Sequence, residues 1–327
     1  MPSQAYSVPP FDLLSYARRG PGRRDHLTPG EIQQVARTVR RTPEVMVKVL
    51  PKSANTMAAV RKHLEYIGRK GDLDLETDDG ERMRGGSDLV ENWDLELDDI
   101  RRKSDLTATR GREPVRLVHK VMFSMPAGTP PEKVLTAAKN FVREEFALKH
   151  RYVMALHTDT PRPHVHVVIK AVSEQGQRLH IRKATLRDWR LEFARHLRAL
   201  GVAANATPRY VRGDTELRKP DGIYRASLRG DSMYMRERAE AVAQELAQGK
   251  LRVEPGKASL VAIRKEVLRA WLAVGDILIR ERQPELAAHV RQFADQMAYP
   301  LTEKEWMAAE MLGHAPRPPT RAGTVAR

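Results

Sequence analysis

Between His157 and His166 the chain sets three imidazoles and one carboxylate within ten residues, in the order His157-Thr-Asp159-Thr-Pro-Arg-Pro-His164-Val-His166. Neutral imidazole is the commonest protein ligand for a divalent ion, and three that converge leave coordination positions open. The set does not name the ion, because three imidazoles accept Mn, Mg with help, Zn or Co. Asp159 could orient one imidazole through its second ring nitrogen. A His-x-His pair alone is more often a solvated strand face. A third imidazole and a carboxylate across a short turn favour a metal site, without separating a catalytic ion from a structural one.

These residues need a hairpin. Arg151 to Leu156 reads as one strand and His164 to Val172 as the next. The prolines and aspartate between them make a turn. Alternation along the second strand puts His164 and His166 on one face and Val165 and Val167 on the other. The apolar face is expected to pack on the core and the imidazole face to look outward, with His157 returned beside the pair.

A second element stands out upstream. A helix is predicted from about Thr56 to Arg69, with Ser53 and Asn55 as capping candidates and Met57, Val60, Leu64 and Ile67 as its apolar stripe. Tyr66 lies roughly 140° round the helix from the centre of that stripe. It is therefore exposed or presented to something. His63, one turn back, reads as a plain surface histidine.

Composition narrows the partner. The chain has 327 residues, a net charge of +15 and 41% hydrophobic residues. That is enough for a real core, and the basic balance suits an anionic polymer. No apolar run approaches the ~20 residues that span a bilayer, so no membrane insertion is expected. Met1 to Pro10 has no apolar core or small-residue cleavage site, so no signal peptide is expected. There is no cysteine. Disulfides and thiolate sites are excluded, and a reducing cytoplasm is compatible.

The fold expected is α+β, strands and helices followed by a helical region. The divisions are 1–42, a basic extension; 43–213, the domain with the histidines; and 214–327, helical with a tail disordered by composition. Arg18 to Arg24 reads equally as a phosphate-contacting arm or a solvated tail. Residues 81–112 are highly charged and read as a mobile excursion over the surface. Val115 to Ser124 is a strand, and the Ser124–Gly128–helix connection needs no phosphate to explain it. Gln177 to Lys183 reads as a short basic strand.

Three stretches carry a resemblance. Leu64-Glu-Tyr66-Ile-Gly-Arg69-Lys70-Gly, Phe123-Ser124-Met-Pro-Ala-Gly128 and His157-x-Asp159-x(4)-His164-x-His166 occur in this order at fitting distances. Together they resemble the three motifs of the P-type (MOBP) conjugative relaxases, which include the border-nicking endonucleases of T-DNA transfer. The likeness covers about residues 45–213. It departs in the long charged insert between the first two motifs and in the extension ahead of the tyrosine.

The resemblance implies an antiparallel sheet flanked by helices, with the histidine strand central, and a metal-dependent DNA strand transferase that initiates conjugative transfer. Carried over by position, Tyr66 is the nucleophile and His157, His164 and His166 hold the metal. Asp159 supports the cluster, and Ser124 helps place DNA near the scissile phosphate. Which group takes the Tyr66 proton stays open, His157 with Asp159 being one candidate. Arg69, Lys70, Arg151 and Arg162 are candidates to hold the strand. Implied partners are single-stranded and supercoiled DNA at a transfer origin, auxiliary nicking proteins, a coupling protein and a type IV secretion system. The implied location is the bacterial cytoplasm, with export covalently bound to DNA. Alternatives are a silent DNA-binding accessory protein with a structural ion, a rolling-circle replication initiator of the same nuclease group, and a metal-dependent hydrolase that forms no adduct.

Overall fold

A computed structural model describes residues 26–50, 55–84, 116–214 and 229–313, together with isolated positions within 85–100 and 223–227. The basic run Arg18 to Arg24, the capping candidate Ser53 and the tail from residue 314 lie outside the described residues. The chain falls into two compact units, Thr42–Ala206 and a second formed by Met1–Arg41 with Thr207–Arg327.

The unit Thr42–Ala206 is built on one six-stranded antiparallel sheet, in the order β1-β4-β6-β5-β2-β3. The strands are β1 (Met46–Val49), β2 (Asp74–Thr77), β3 (Arg82–Arg84), β4 (Val118–Ser124), β5 (Tyr152–His157) and β6 (His164–Lys170). The histidine strand β6 is central, between β4 and β5. Central strands pair on both edges, so their side chains are held in register from both sides.

Alternation divides the sheet cleanly. On one face Val121, Phe123, Tyr152, Met154, Val165, Val167 and Ile169 form a single apolar cluster. The helices α3 (Pro131–Phe146) and α4 (Lys183–Ala199) cover it with Phe141, Phe146, Trp189 and Phe193. Phe123 meets Phe141 at 5.0 Å and Phe193 at 5.2 Å between ring centroids, the edge-on and tilted packing that aromatic quadrupoles favour.

The other face does not look outward as the alternation alone suggests. The helix α2 (Met57–Ile67) roofs it, laying Val60, Leu64 and Ile67 on Val118, Val153, Ala155 and Val168. The helix has an apolar stripe of its own, and leaving it in water would forfeit burial worth roughly 1.5–3 kcal/mol per large side chain. Thr56, not Ser53 or Asn55, caps α2, its hydroxyl accepting from the Ala59 amide at 3.2 Å.

The charged insert also differs from expectation. Arg82–Arg84 forms the edge strand β3, and Leu89, Trp93 and Leu95 are fully buried in the same cluster as α2. These apolar anchors dock part of the insert on the sheet, and much of the rest lies outside the described residues. The strand expected at 177–183 reduces to an isolated bridge, Val172 with Arg178.

The second unit is helical, with α1 (Pro29–Val39), α5 (Met233–Ala247), α6 (Lys257–Arg280), α7 (Pro284–Asp295) and α8 (Glu303–Met311). The described part of the N-terminal extension is no free arm. A capping box between Thr28 and Glu31 starts α1, and Leu27 and Val35 bury against Val267, Trp271 and Val290. The Trp271 indole donates to the Val211 carbonyl at 2.9 Å. Among the described residues no helix is long and apolar enough to cross a membrane.

Candidate metal centre and the tyrosine beside it

The hairpin register sets the imidazoles. His157 is directly opposite His164 across the β5–β6 pair, and His166 is opposite Ala155. His157, His164 and His166 therefore share the α2-covered face, with ring centroids 5.3 Å (157–164), 4.6 Å (157–166) and 5.2 Å (164–166) apart. One nitrogen from each lies within 4.8 Å of the others, a spacing that could hold a metal ion.

Each ring is fixed by a different contact. The Ile67 carbonyl accepts from His157 Nε2 at 2.8 Å, and the Arg162 carbonyl accepts from His164 Nδ1 at 3.0 Å. Donating from one nitrogen leaves the other as an acceptor, and for His157 that nitrogen, Nδ1, faces the Arg69 guanidinium at 3.3 Å. His166 Nδ1 is buried with no hydrogen-bond partner. A buried polar nitrogen without a partner is costly in a protein interior, and the donor set of three neutral imidazoles fits a divalent ion.

The electrostatics point the same way. His166 is 4% exposed, and burial, with His157 and His164 nearby, pushes it down to about 3. Burial also lowers His157, helped by Arg69 and His164 and opposed by the Ile67 hydrogen bond. Rings held below their ordinary range are neutral at pH 7, the form that ligates.

Asp159 does not bond an imidazole as the sequence reading expected. Its carboxylate pairs with the Arg69 guanidinium, which also lies 3.3 Å from His157 Nδ1. Partial desolvation works against its charge, but Arg69 holds the carboxyl below its usual range. Asp159 thus reaches the cluster through Arg69. Arg69 and Lys70 follow α2 with φ of 51° and 57°, a left-handed pair uncommon for residues with a Cβ.

Tyr66 stands over this cluster. It is 52% exposed, and its ring lies 5.9 Å from His166 and 6.2 Å from His157. Its position off the α2 stripe is what presents it to the imidazoles. Ser124 pairs with His164 across β4–β6, so it lies on the same sheet face at the same end, though it is buried. Lys70 and Arg162 are exposed nearby in sequence, on the turn after α2 and in the β5–β6 loop.

Arg151 is not brought to this site. It precedes β5, at the opposite end of the strand from His157, and pairs with Asp78 at 2.8 Å and Asp79 at 3.5 Å. Those two acidic residues of the β2–β3 turn occupy its guanidinium.

His63 was missed as a site residue. It is half-buried, stacks on Tyr66 at 5.9 Å with 19° between rings, and meets His166 edge-on at 6.2 Å. Burial, then Lys120 and His157, lower it to about 4. The available signal was its position three residues before Tyr66, which puts both on one helix face.

Comparison with known proteins agrees with this geometry. Residues 66–201 match the family described as Relaxase, MobA/VirD2-like, nuclease domain. The T-DNA border endonuclease VirD2 of Agrobacterium fabrum is 24% identical over 229 residues, covering 63% of this chain and 49% of that protein. The VirD2 of Rhizobium radiobacter is 25% identical over 147 residues, covering 38% of this chain and 31% of that protein. The chain thus spans about half or less of the length of these curated relatives. With the central histidine strand, the imidazole triangle and the presented tyrosine, residues 66–201 are similar to the MobA/VirD2-like relaxase nuclease domain.

Proposed function

We propose that this chain is a relaxase that nicks one DNA strand at a transfer origin by transesterification through Tyr66. The observation that carries the proposal is an exposed phenol with its ring 5.9 Å from His166 and 6.2 Å from His157, beside a set of imidazoles suited to a metal.

A phosphodiester is shielded from attack by its own negative oxygens. His157, His164 and His166 would hold a divalent ion, which would supply charge neutralisation to the phosphate. Tyr66 Oη attacks phosphorus, the bond to the 3′ oxygen breaks, and the strand's 5′ phosphate becomes a phosphotyrosyl link. The 3′ oxygen leaves as a hydroxyl once it gains a proton, and the phenol proton passes to a base. One phosphodiester replaces another, so the step is reversible without ATP. Arg69, beside His157 and Tyr66, and the exposed Lys70 and Arg162 suit phosphate contacts, and Ser124 suits a placing role beside His164.

Mg or Mn is the expected ion. Auxiliary nicking proteins, a coupling protein and a type IV secretion system are the expected partners, with the chain acting in the bacterial cytoplasm and exported covalently bound to DNA.

The test is incubation with single-stranded origin-region DNA and Mn, followed by mass mapping of the adduct. The expected adduct is on Tyr66, and Tyr66→Phe removes it while DNA binding survives. An adduct of undiminished yield in Tyr66→Phe overturns the assignment. EDTA-sensitive nicking of supercoiled plasmid excludes a silent accessory protein, and a free 5′ phosphate without adduct identifies a hydrolase instead.

A further inference from the structure

We propose that His63 is a positioning residue, holding the Tyr66 ring over the imidazole cluster by stacking. The inference rests on the reading of Tyr66 as the nucleophile. Tyr66 is 52% exposed, so core packing does not fix its ring. Its orientation must come from neighbours on the helix surface.

Two flat groups supply it. His63 and Tyr66 lie three residues apart on α2, the spacing at which helical side chains meet, and Arg69 follows just past the helix end. The His63 ring lies 5.9 Å from Tyr66 at 19°, and the Arg69 guanidinium carbon lies 5.5 Å from the same ring centroid. The phenol is thus flanked by an imidazole one turn before it and by the cation of Arg69 from beyond the helix end. An offset stack and a cation over a ring are each favourable geometries for an aromatic side chain.

His63 is itself anchored. Its ring meets His166 edge-on at 6.2 Å, and its Nε2 is buried without a hydrogen-bond partner. No hydrogen bond therefore accounts for where Nε2 points, and the ring contacts do. His166 is fixed by the sheet, His63 packs on His166, and Tyr66 packs on both, with 5.9 Å and 89° between Tyr66 and His166. The position of one candidate ligand is relayed to the nucleophile through a ring outside the three-imidazole group.

The experiment uses the full chain labelled with fluorotyrosine, with Tyr66→Phe identifying the Tyr66 resonance, and compares His63→Ala with His63→Phe. Phenylalanine keeps a flat ring and removes both nitrogens. In His63→Ala the Tyr66 fluorine resonance moves toward that of free fluorotyrosine. Adduct formation at saturating origin-region DNA slows about two- to tenfold, the effect of losing one aromatic pair. Mn affinity and DNA affinity stay unchanged. His63→Phe keeps the resonance and restores the rate to within about threefold. An unmoved resonance in His63→Ala overturns the proposal, as does a His63→Phe chain as slow as His63→Ala. If the resonance responds as stated but the wild-type adduct maps elsewhere, the stack stands and the assignment of Tyr66 as nucleophile fails.

Discussion

The two faces of the sheet are made by alternate residues of the same strands, yet they answer to different rules. On one, Phe123, Val165 and Val167 meet only apolar partners from α3 and α4. On the other, Ser124, His164 and His166 sit one residue along, beside His157 and under Tyr66. The first face is satisfied by filling space. The second contains polar nitrogens, and each must find a carbonyl, a cation or a ligand. His157 and His164 find carbonyls, while a nitrogen of His166 finds none. Chemistry is thus one residue out of phase with stability. The rigid apolar face is what holds the imidazoles within reach of one another.

That contrast can be broken at several points. Phe123→Ala on the apolar face should cost about 3–5 kcal/mol in urea unfolding, because it leaves a cavity among Phe141 and Phe193. The Mn affinity of the molecules still folded should not change. A matching loss of Mn affinity would show that the faces are not separable.

His166→Ala should show the converse, a Mn affinity lower by at least about a hundredfold in calorimetry. Its unfolding free energy should change less than that of Phe123→Ala, since the side chain removed carries an unpartnered polar atom. A stability loss equal to that of Phe123→Ala would make His166 a core residue and not a ligand.

Acid should sharpen the comparison from the other side. His119 belongs to the apolar-face alternation, donates from Nε2 to the Leu179 carbonyl at 3.1 Å, and is lowered by burial to about 4. Between about pH 6.5 and 4 the unfolded chain takes a proton there that the folded chain refuses. Stability should fall as pH drops through that window, by on the order of 2 kcal/mol from this residue. His119→Gln should flatten the slope of the urea midpoint against pH, and an unchanged slope would remove His119 from the account.

The smallest expected effect is at the start of α2. Thr56→Ala removes the cap on the Ala59 amide and should cost about 1 kcal/mol. Adduct formation by the folded chain should survive, because the far end of the helix is held by the His157–Ile67 bond and the buried Leu64 and Ile67.

Much of the site was written locally. The period of two in His164-Val-His166 settled which residues share a face, and the helical stripe of Met57, Val60, Leu64 and Ile67 already set Tyr66 apart from the core. The three motifs carried the family. These are properties of neighbours along the chain, and spacing is enough to read them.

What the sequence could not decide was which distant element lies over which. The roofing of the imidazole face by α2, the Ile67 carbonyl on His157 and the Arg69–Asp159 pair join residues about ninety positions apart. The capture of Arg151 by Asp78 and Asp79, and the burial of Trp93 from a charged insert, are of the same kind. Local pattern states that a side chain is apolar or polar. Only the packing of whole elements, driven by the burial of their stripes, determines the partner it meets. His63 shows the difference most plainly: the chain gave its helix position, and the fold alone turned it against Tyr66 and His166.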